Sequence, residues 1–172
     1  MSLIKSNLPD YFIKHHIKAV VKEALWLCNF YPKADKEVVE ISSWLHDITH
    51  PLSIKPYEQE DHNIASAKKT QKFLDSIAFD NSKTKKIIHC IKAHRSSRHP
   101  EPKTIEAKIV ASADNLAHFT KFDFLYKKMN NPQKTFDKIK RDLASTFMLP
   151  EALEKARKIT FEIEKKYKTK IL

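Results

Sequence analysis

Nine histidines stand in a chain of 172 residues, and their worth depends on which of them the fold turns inward. An imidazole can accept a proton near neutral pH or ligate a transition metal through a neutral nitrogen, so inward histidines beside carboxylates are candidates for either task. Periodicity sorts them. His16 lies on the apolar stripe of its segment, three residues after Ile13 and four before Val20, whereas His15 shares a face with Lys18 and Lys22. His94 continues a stripe from Ile87 and Ile91, while His89 stands with Lys85, Lys86 and Lys92. A lone inward histidine is ordinarily a core residue bonded to a carbonyl, so neither makes a site by itself.

Asp114 is embedded in the apolar run IVASADNLA, and burying an unpaired carboxylate there costs several kcal/mol. It needs a partner. A Lys or Arg is one choice; the other is a cation shared with the inward candidates His16, His46, Asp47, His62 and His94. Imidazole with carboxylate suits Zn, Mn, Fe, Ni or Co, and a set of two His and two Asp in octahedral geometry leaves positions open for water and substrate. Adjacent side chains such as His46 and Asp47 diverge by roughly 100° on a helix, close to the angle between neighbouring octahedral ligands.

Helices must position these groups. Ile13, Ile17, Val20, Ala24, Leu27 and Cys28 recur at helical spacing after Pro9-Asp10, ending near Tyr31-Pro32. A second helix is expected from Asp35 to before Pro51, with Val38, Ile41, Leu45 and Ile48 inward and His46-Asp47 in its last turn. Residues 51–60 read as a loop. Asp61 is the expected N-cap of a third helix burying Ile64, Ala67, Gln71 or Leu74, and Ala78. A fourth helix starts at Asn81-Ser82, and a basic, proline-broken connection over 95–103 leads to Thr104 as the next N-cap. Further helices are expected from Ile105 to Phe119, Phe122 to Met129, Pro132 to Met148 and Pro150 to near Tyr167. With no repeat or composition break, the expectation is one all-α domain over 1–172, a motif-bearing core at about 10–120 followed by C-terminal helices at about 121–172.

Composition narrows the field. The 41% hydrophobic content supports a folded core, and the formal charge of +11 favours an acidic partner such as a nucleotide, a nucleic acid or a membrane headgroup. The chain contains no glycine, which excludes P-loops and dinucleotide fingerprints, because both need glycine where backbone approaches phosphate. Two-residue hairpins are disfavoured for the same reason. The two cysteines lack metal or disulfide spacing and no secretory or membrane-length apolar run is present, which points to a reduced cytoplasmic setting.

Taken in order, His16 within HIKAVVKEALWL, His46-Asp47 within WLHDITHP and Asp114 within IVASADNLAHF resemble the H…HD…D pattern of the HD-domain superfamily of metal-dependent phosphohydrolases. DHNIASAKKTQKFL and IIHCIKAHR extend the likeness toward small stand-alone members. The resemblance implies an all-α helical bundle of the HD-domain type and a divalent cation (Mn, Fe, Ni, Co, Zn or Mg) held by His16, His46, Asp47 and Asp114. It also implies metal-activated water as the nucleophile. Asp47, His62 and His94 are then the catalytic candidates; His62 and His94 either hold a second metal or bind phosphate and relay a proton near the first. The pattern is departed from at Thr49, where many members have glycine, and at Ser112, where related proteins often carry an additional Asp. Glu106, at a helix start, is explained by the dipole alone.

The leading expectation is hydrolysis of a phosphate mono- or diester, a nucleotide or related small molecule, with Arg95, Arg98 and Lys55 binding substrate; the alternative for each of these three is a solvated loop charge. A second reading is a metal- and nucleotide-binding regulatory module without turnover. A third, weaker one is a nucleic-acid binder exploiting the basic charge. No helix-turn-helix, zinc-finger or RNA-recognition signature supports it, and Lys165, Lys166, Lys168 and Lys170 are also accounted for by a helix C-terminus.

Overall fold

A computed structural model of the protein describes residues 2–49, 61–95, 100–145 and 147–171. The loop expected over 51–60, with Lys55, and the position of Arg98 lie outside the described residues. The elements are α1 (Ser2–Lys5), α2 (Asp10–Phe12), a π-helical turn (Ile13–Ile17), α3 (Lys18–Cys28), α4 (Lys36–Leu45), α5 (His62–Ser76), α6 (Asn81–Ala93), α7 (Ile105–Thr120), α8 (Phe122–Met129), α9 (Pro132–Ser145) and α10 (Pro150–Tyr167). The fold is all-α.

The apolar content of α7 makes it the central element. Ile109, Val110, Leu116 and Phe119 are buried on different sides of it, as a helix with apolar residues all round requires. Fully burying side chains of this size contributes about 1.5–3 kcal/mol each. Ala107, Ala113 and Ala117 keep its surface low between them, and α3, α4, α6 and α10 pack around it. Thr104 caps α7 by accepting from Ala107 N at 3.2 Å, and Asp35 caps α4 by accepting from Val38 N at 3.2 Å. Both caps satisfy an otherwise orphaned donor.

Four local expectations need correction. Helix α4 ends at Leu45, so His46 is its C-cap and Asp47 lies in the following turn rather than in the last helical turn. Asp61 stands at the N-cap position of α5 as expected, but its side chain makes no cap bond and its carboxylate accepts from Arg95 at 2.9 Å. The inward face of α5 is more polar than expected: Asn63, Ser66 and Thr70 are buried beside Ala67 and Leu74, while Ile64 is half-buried and Ala78 is exposed with φ 49°. Helix α9 stops at Ser145, and the chain beyond it turns back onto α7, where Met148 N donates to Ser112 Oγ and the Phe147 ring meets Phe119.

The first long helix also carries a feature without an apolar signature. Residues 13–17 form a π turn continuous with α2 and α3. Such a turn inserts an extra residue into the helix and is frequent at functional sites. It holds His16 buried between Phe12 and the core, with the two rings 4.9 Å apart.

Candidate metal centre

The π turn supplies His16, the C-terminal end of α4 supplies His46 and Asp47, and the middle of α7 supplies Asp114. Their polar atoms converge. His16 Nε2 stands 3.3 Å from His46 Nε2, 3.5 Å from Asp47 Oδ2 and 3.3 Å from Asp114 Oδ1. His46 Nε2 is 3.7 Å from the same Asp47 oxygen and 3.6 Å from the same Asp114 oxygen. Donor atoms each about 2.1 Å from one ion stand about 3.0 Å apart at a right angle and about 3.4 Å apart in a tetrahedron. The observed separations are on that scale, and they exceed those of direct charge-assisted hydrogen bonds.

A second group of nitrogens meets the other face of the same carboxylate. His62 Nε2, at the start of α5, is 3.4 Å from Asp47 Oδ1, and His94 Nε2, at the end of α6, is 3.5 Å from it. Asp47 Oδ1 is buried yet accepts no hydrogen bond among the described residues. Each oxygen of Asp47 therefore faces a different pair of histidines.

Backbone carbonyls aim two of the rings. His46 Nδ1 lies 2.9 Å from Ser43 O and His94 Nδ1 lies 2.7 Å from Ile91 O. A carbonyl can only accept, so both Nδ1 atoms donate and each Nε2 is directed into the centre. This is the arrangement by which a partner outside the ligand set fixes a ligating imidazole.

Electrostatics reinforce it. Burial opposes ionisation of Asp47 and Asp114, but the surrounding imidazoles outweigh it and hold both carboxyls well below the usual carboxylate range. Burial pushes His16 below the ordinary imidazole value despite the nearby carboxylates. At His46 burial acts in the same sense but is overcome by Asp47 and Asp114, which raise it to about 9. Two anions within a shell of aimed nitrogens fit a divalent cation by donor chemistry and by spacing, and His16, His46 and Asp47 as well as Asp47, His62 and His94 form groups close enough to hold one.

The centre opens into a cavity of about 340 Å³ whose lining includes His16, Asp47, His62, His94, Arg95 and Asp114. Arg95 reaches it while paired to Asp61. His15 is half-buried, stacks on Phe124 at 5.2 Å and also lines the cavity, so it does not stand apart on a wet face with Lys18 and Lys22. His89 stays away from the centre and accepts from Lys103 N. Glu106 accepts from Asp35 N, joining α7 to the start of α4. Thr49 ties the turn after Asp47 to α5, donating to His62 O at 3.2 Å and pairing with Ser66 Oγ at 2.9 Å.

His118 is the group that the sequence reading passes over. It follows Asp114 by four residues and therefore shares its helical face. His118 Nδ1 lies 3.4 Å from Asp142 Oδ2, its ring stacks on His16 at 6.0 Å, and it forms a third metal-competent group with His16 and Asp114. The i, i+4 relation to Asp114 was the available signal.

No curated protein sequence matches the chain. The crystal structure of a predicted HD superfamily hydrolase from an uncultured Thermotogales bacterium is similar, with a TM-score of 0.68 and 20% identity over 97% of this chain and 86% of that one. At that identity the likeness shows a common fold. The HD domain family model matches residues 13–118, a span that begins in the π turn bearing His16 and closes on the helix bearing Asp114. On that match the chain belongs to the HD-domain family.

Proposed function

We propose that the protein is a metal-dependent phosphohydrolase acting on a phosphate mono- or diester of the nucleotide class. The observation that carries this reading is the placement of Asp47, whose two oxygens face His16 with His46 on one side and His62 with His94 on the other. His16, His46, Asp47 and Asp114 would hold the cation, with His62 and His94 available for a second ion or for a phosphate oxygen. Bound there, a divalent cation (Mn, Fe, Ni, Co, Zn or Mg) supplies charge neutralisation at phosphate and a more acidic water.

The chain's own groups account for the rest of the chemistry. The carbonyls of Ser43 and Ile91 fix the aim of His46 and His94, so that little reorganisation is needed when substrate arrives. His94 and His62, beside Asp47 Oδ1, are placed to accept or return a proton at their Nε2 atoms. Arg95 lines the cavity, where its guanidinium is suited to a phosphoryl oxygen; Arg98 and Lys55 are proposed for the same task from sequence alone. The name of the Thermotogales neighbour, a predicted hydrolase, supports a reaction of this class. Free, buried Cys28 and Cys90 suit the proposed cytoplasmic setting, and no helix among the described residues is long and apolar enough to cross a membrane.

The test is metal analysis of protein purified without chelator, paired with a panel of nucleotide mono-, di- and triphosphates and cyclic diesters. Turnover that EDTA abolishes and added metal restores is expected. A metal-loaded protein that binds a nucleotide tightly but turns over none of the panel would replace this reading with a regulatory module.

A further inference from the structure

One imidazole beside the centre stands outside the expected ligand set. His118 lies four residues after Asp114 on α7, so the two side chains share a helical face. One ring nitrogen of His118 is within 4.8 Å of the ligand atoms of both His16 and Asp114. The His118 ring is half-buried and lines the same cavity, and it lies 16° from parallel to the ring of His16 with centroids 6.0 Å apart. Donor atoms about 2.1 Å from one octahedral ion stand about 3.0 Å apart when adjacent and about 4.2 Å apart when opposite. A small turn of a side chain that already borders the cavity brings His118 into that range.

The group behind His118 parallels the groups behind the other aimed rings. His46 and His94 each present Nδ1 to a backbone carbonyl. His118 Nδ1 is buried, makes no hydrogen bond among the described residues and stands 3.4 Å from Asp142 Oδ2. Asp142 is itself 2% exposed and is paired with Lys138 at 2.7 Å. A carboxylate oxygen so near Nδ1 favours the tautomer with its proton there and leaves the lone pair on Nε2. A carboxylate behind an imidazole also fixes the ring and raises its basicity as a metal ligand. Asp142 lies on α9, beyond the span of 13–118 that matches the family.

We propose that His118 is an additional ligand of the cation in the His/Asp centre, with Asp142 as the residue that positions it. This rests on the reading that His16, His46, Asp47 and Asp114 hold a divalent cation. His118 adds a third imidazole to that set. Imidazole nitrogen suits Fe, Ni and Zn, whereas Mg is held by carboxylate, carbonyl and water oxygens. The additional ring therefore selects a transition-metal ion against Mg²⁺.

Titration of the metal-stripped full chain with Co²⁺ and with Mg²⁺ tests this, because the visible absorption of Co²⁺ reports the donors around it independently of turnover. His118→Ala should weaken Co²⁺ binding about 100-fold or more, at or beyond the top of the roughly 10–100-fold range of an outer-shell change. It should also alter the visible bands and narrow the preference for Co²⁺ over Mg²⁺, and added imidazole should restore the bands. Asp142→Asn should lose affinity within the roughly 10–100-fold range and keep the bands. Circular dichroism checks the fold of each variant; His118→Gln replaces the alanine variant if that one is unfolded, and should show the same loss of affinity and change of bands. Wild-type affinity and bands in folded His118→Ala overturn ligation by His118. So does an equal loss of Co²⁺ and Mg²⁺ with the bands unchanged, which would leave His118 a structural neighbour of the centre. Either result beside loss of Co²⁺ in Asp114→Ala sinks the additional ligand alone. A wild type that takes up no Co²⁺ sinks the metal centre and this proposal with it.

Discussion

His16 Nε2 and His46 Nε2 face each other across 3.3 Å in a buried setting, and His46 cannot turn away because its Nδ1 is committed to Ser43 O. Two imidazole nitrogens so placed must share a proton or a cation. Burial lowers His16, while Asp47 and Asp114 raise His46 against the same burial. A divalent cation held by His16, His46, Asp47 and Asp114 would take the place of such a proton between the two Nε2 atoms.

Removal of a ligand should therefore be felt first as lost metal. Asp114→Ala is expected to lower cation affinity by more than the roughly 10–100-fold typical of an outer-shell change, and His89→Ala, whose partner is Lys103 N, should leave it intact. Elemental analysis of both variants after identical purification decides the matter. Undiminished metal in folded Asp114→Ala protein would remove Asp114 from the ligand set.

Metal should also act on stability, because the proposed ligands come from the π turn, the end of α4 and α7, far apart in the chain. Ligand at a hundred times its Kd adds about 2.7 kcal/mol, which for a chain of this size corresponds to a rise in Tm of about 5–10 °C. Thermal unfolding in excess Mn²⁺ and in EDTA should differ by that amount in wild type and not in Asp114→Asn. Equal curves for wild type would contradict the prediction.

Glu106 offers a pH-dependent contribution remote from the centre. Burial opposes its ionisation, but the backbone N–H of Asp35 and its own backbone N–H outweigh this and hold it below the usual glutamate value of 4.5. A carboxyl lowered in the folded state stabilises above its unfolded value and loses that contribution as pH falls through the folded one. Glu106→Gln should accordingly cost about 1 kcal/mol at pH 7, with the gap from wild type closing below pH 4.5. Urea denaturation at a series of pH values checks it; a gap constant with pH would assign the effect to packing.

A chain without glycine must still end its helices. After α5, Phe79 N donates to Leu74 O and Ala78 N to Asp75 O, a Schellman arrangement with Ala78 at the left-handed position, φ 49°. Ala78→Gly should stabilise the protein by about 0.5–1 kcal/mol, since relief of the Cβ clash exceeds the entropy of the freer unfolded chain. An unchanged or lower denaturation midpoint would count against this account of the turn.

Residues whose neighbours share their periodicity were legible in advance. Ile87, Ile91 and His94 point inward together, Thr104 caps as its sequence position suggests, and Asp35 stands where the second helix was expected to start. Local chemistry misleads where a distant partner competes for the group: Asp61 holds the N-cap position but its carboxylate goes to Arg95, 34 positions away. Polar Ser66 looks like surface, yet is buried because Thr49 bonds it across the turn. The π turn was not legible because the apolar steps across it, Ile13 to Ile17 to Val20, are four and three residues, the same steps an unbroken α-helix shows. His118 was hidden between Ala117 and Phe119, and Asp142 had no local sign of its inward partner.

The division of the cavity between two parts of the chain sets how such a protein can diverge. Its His/Asp cluster lies on elements before Lys121, whereas other residues that line the same cavity lie on α8 and α9. Substitutions in those two helices can alter ligand preference while the imidazoles and carboxylates keep their geometry. Under the proposed function, drift confined to α8 and α9 would exchange one ligand for another while the His/Asp cluster is inherited unchanged.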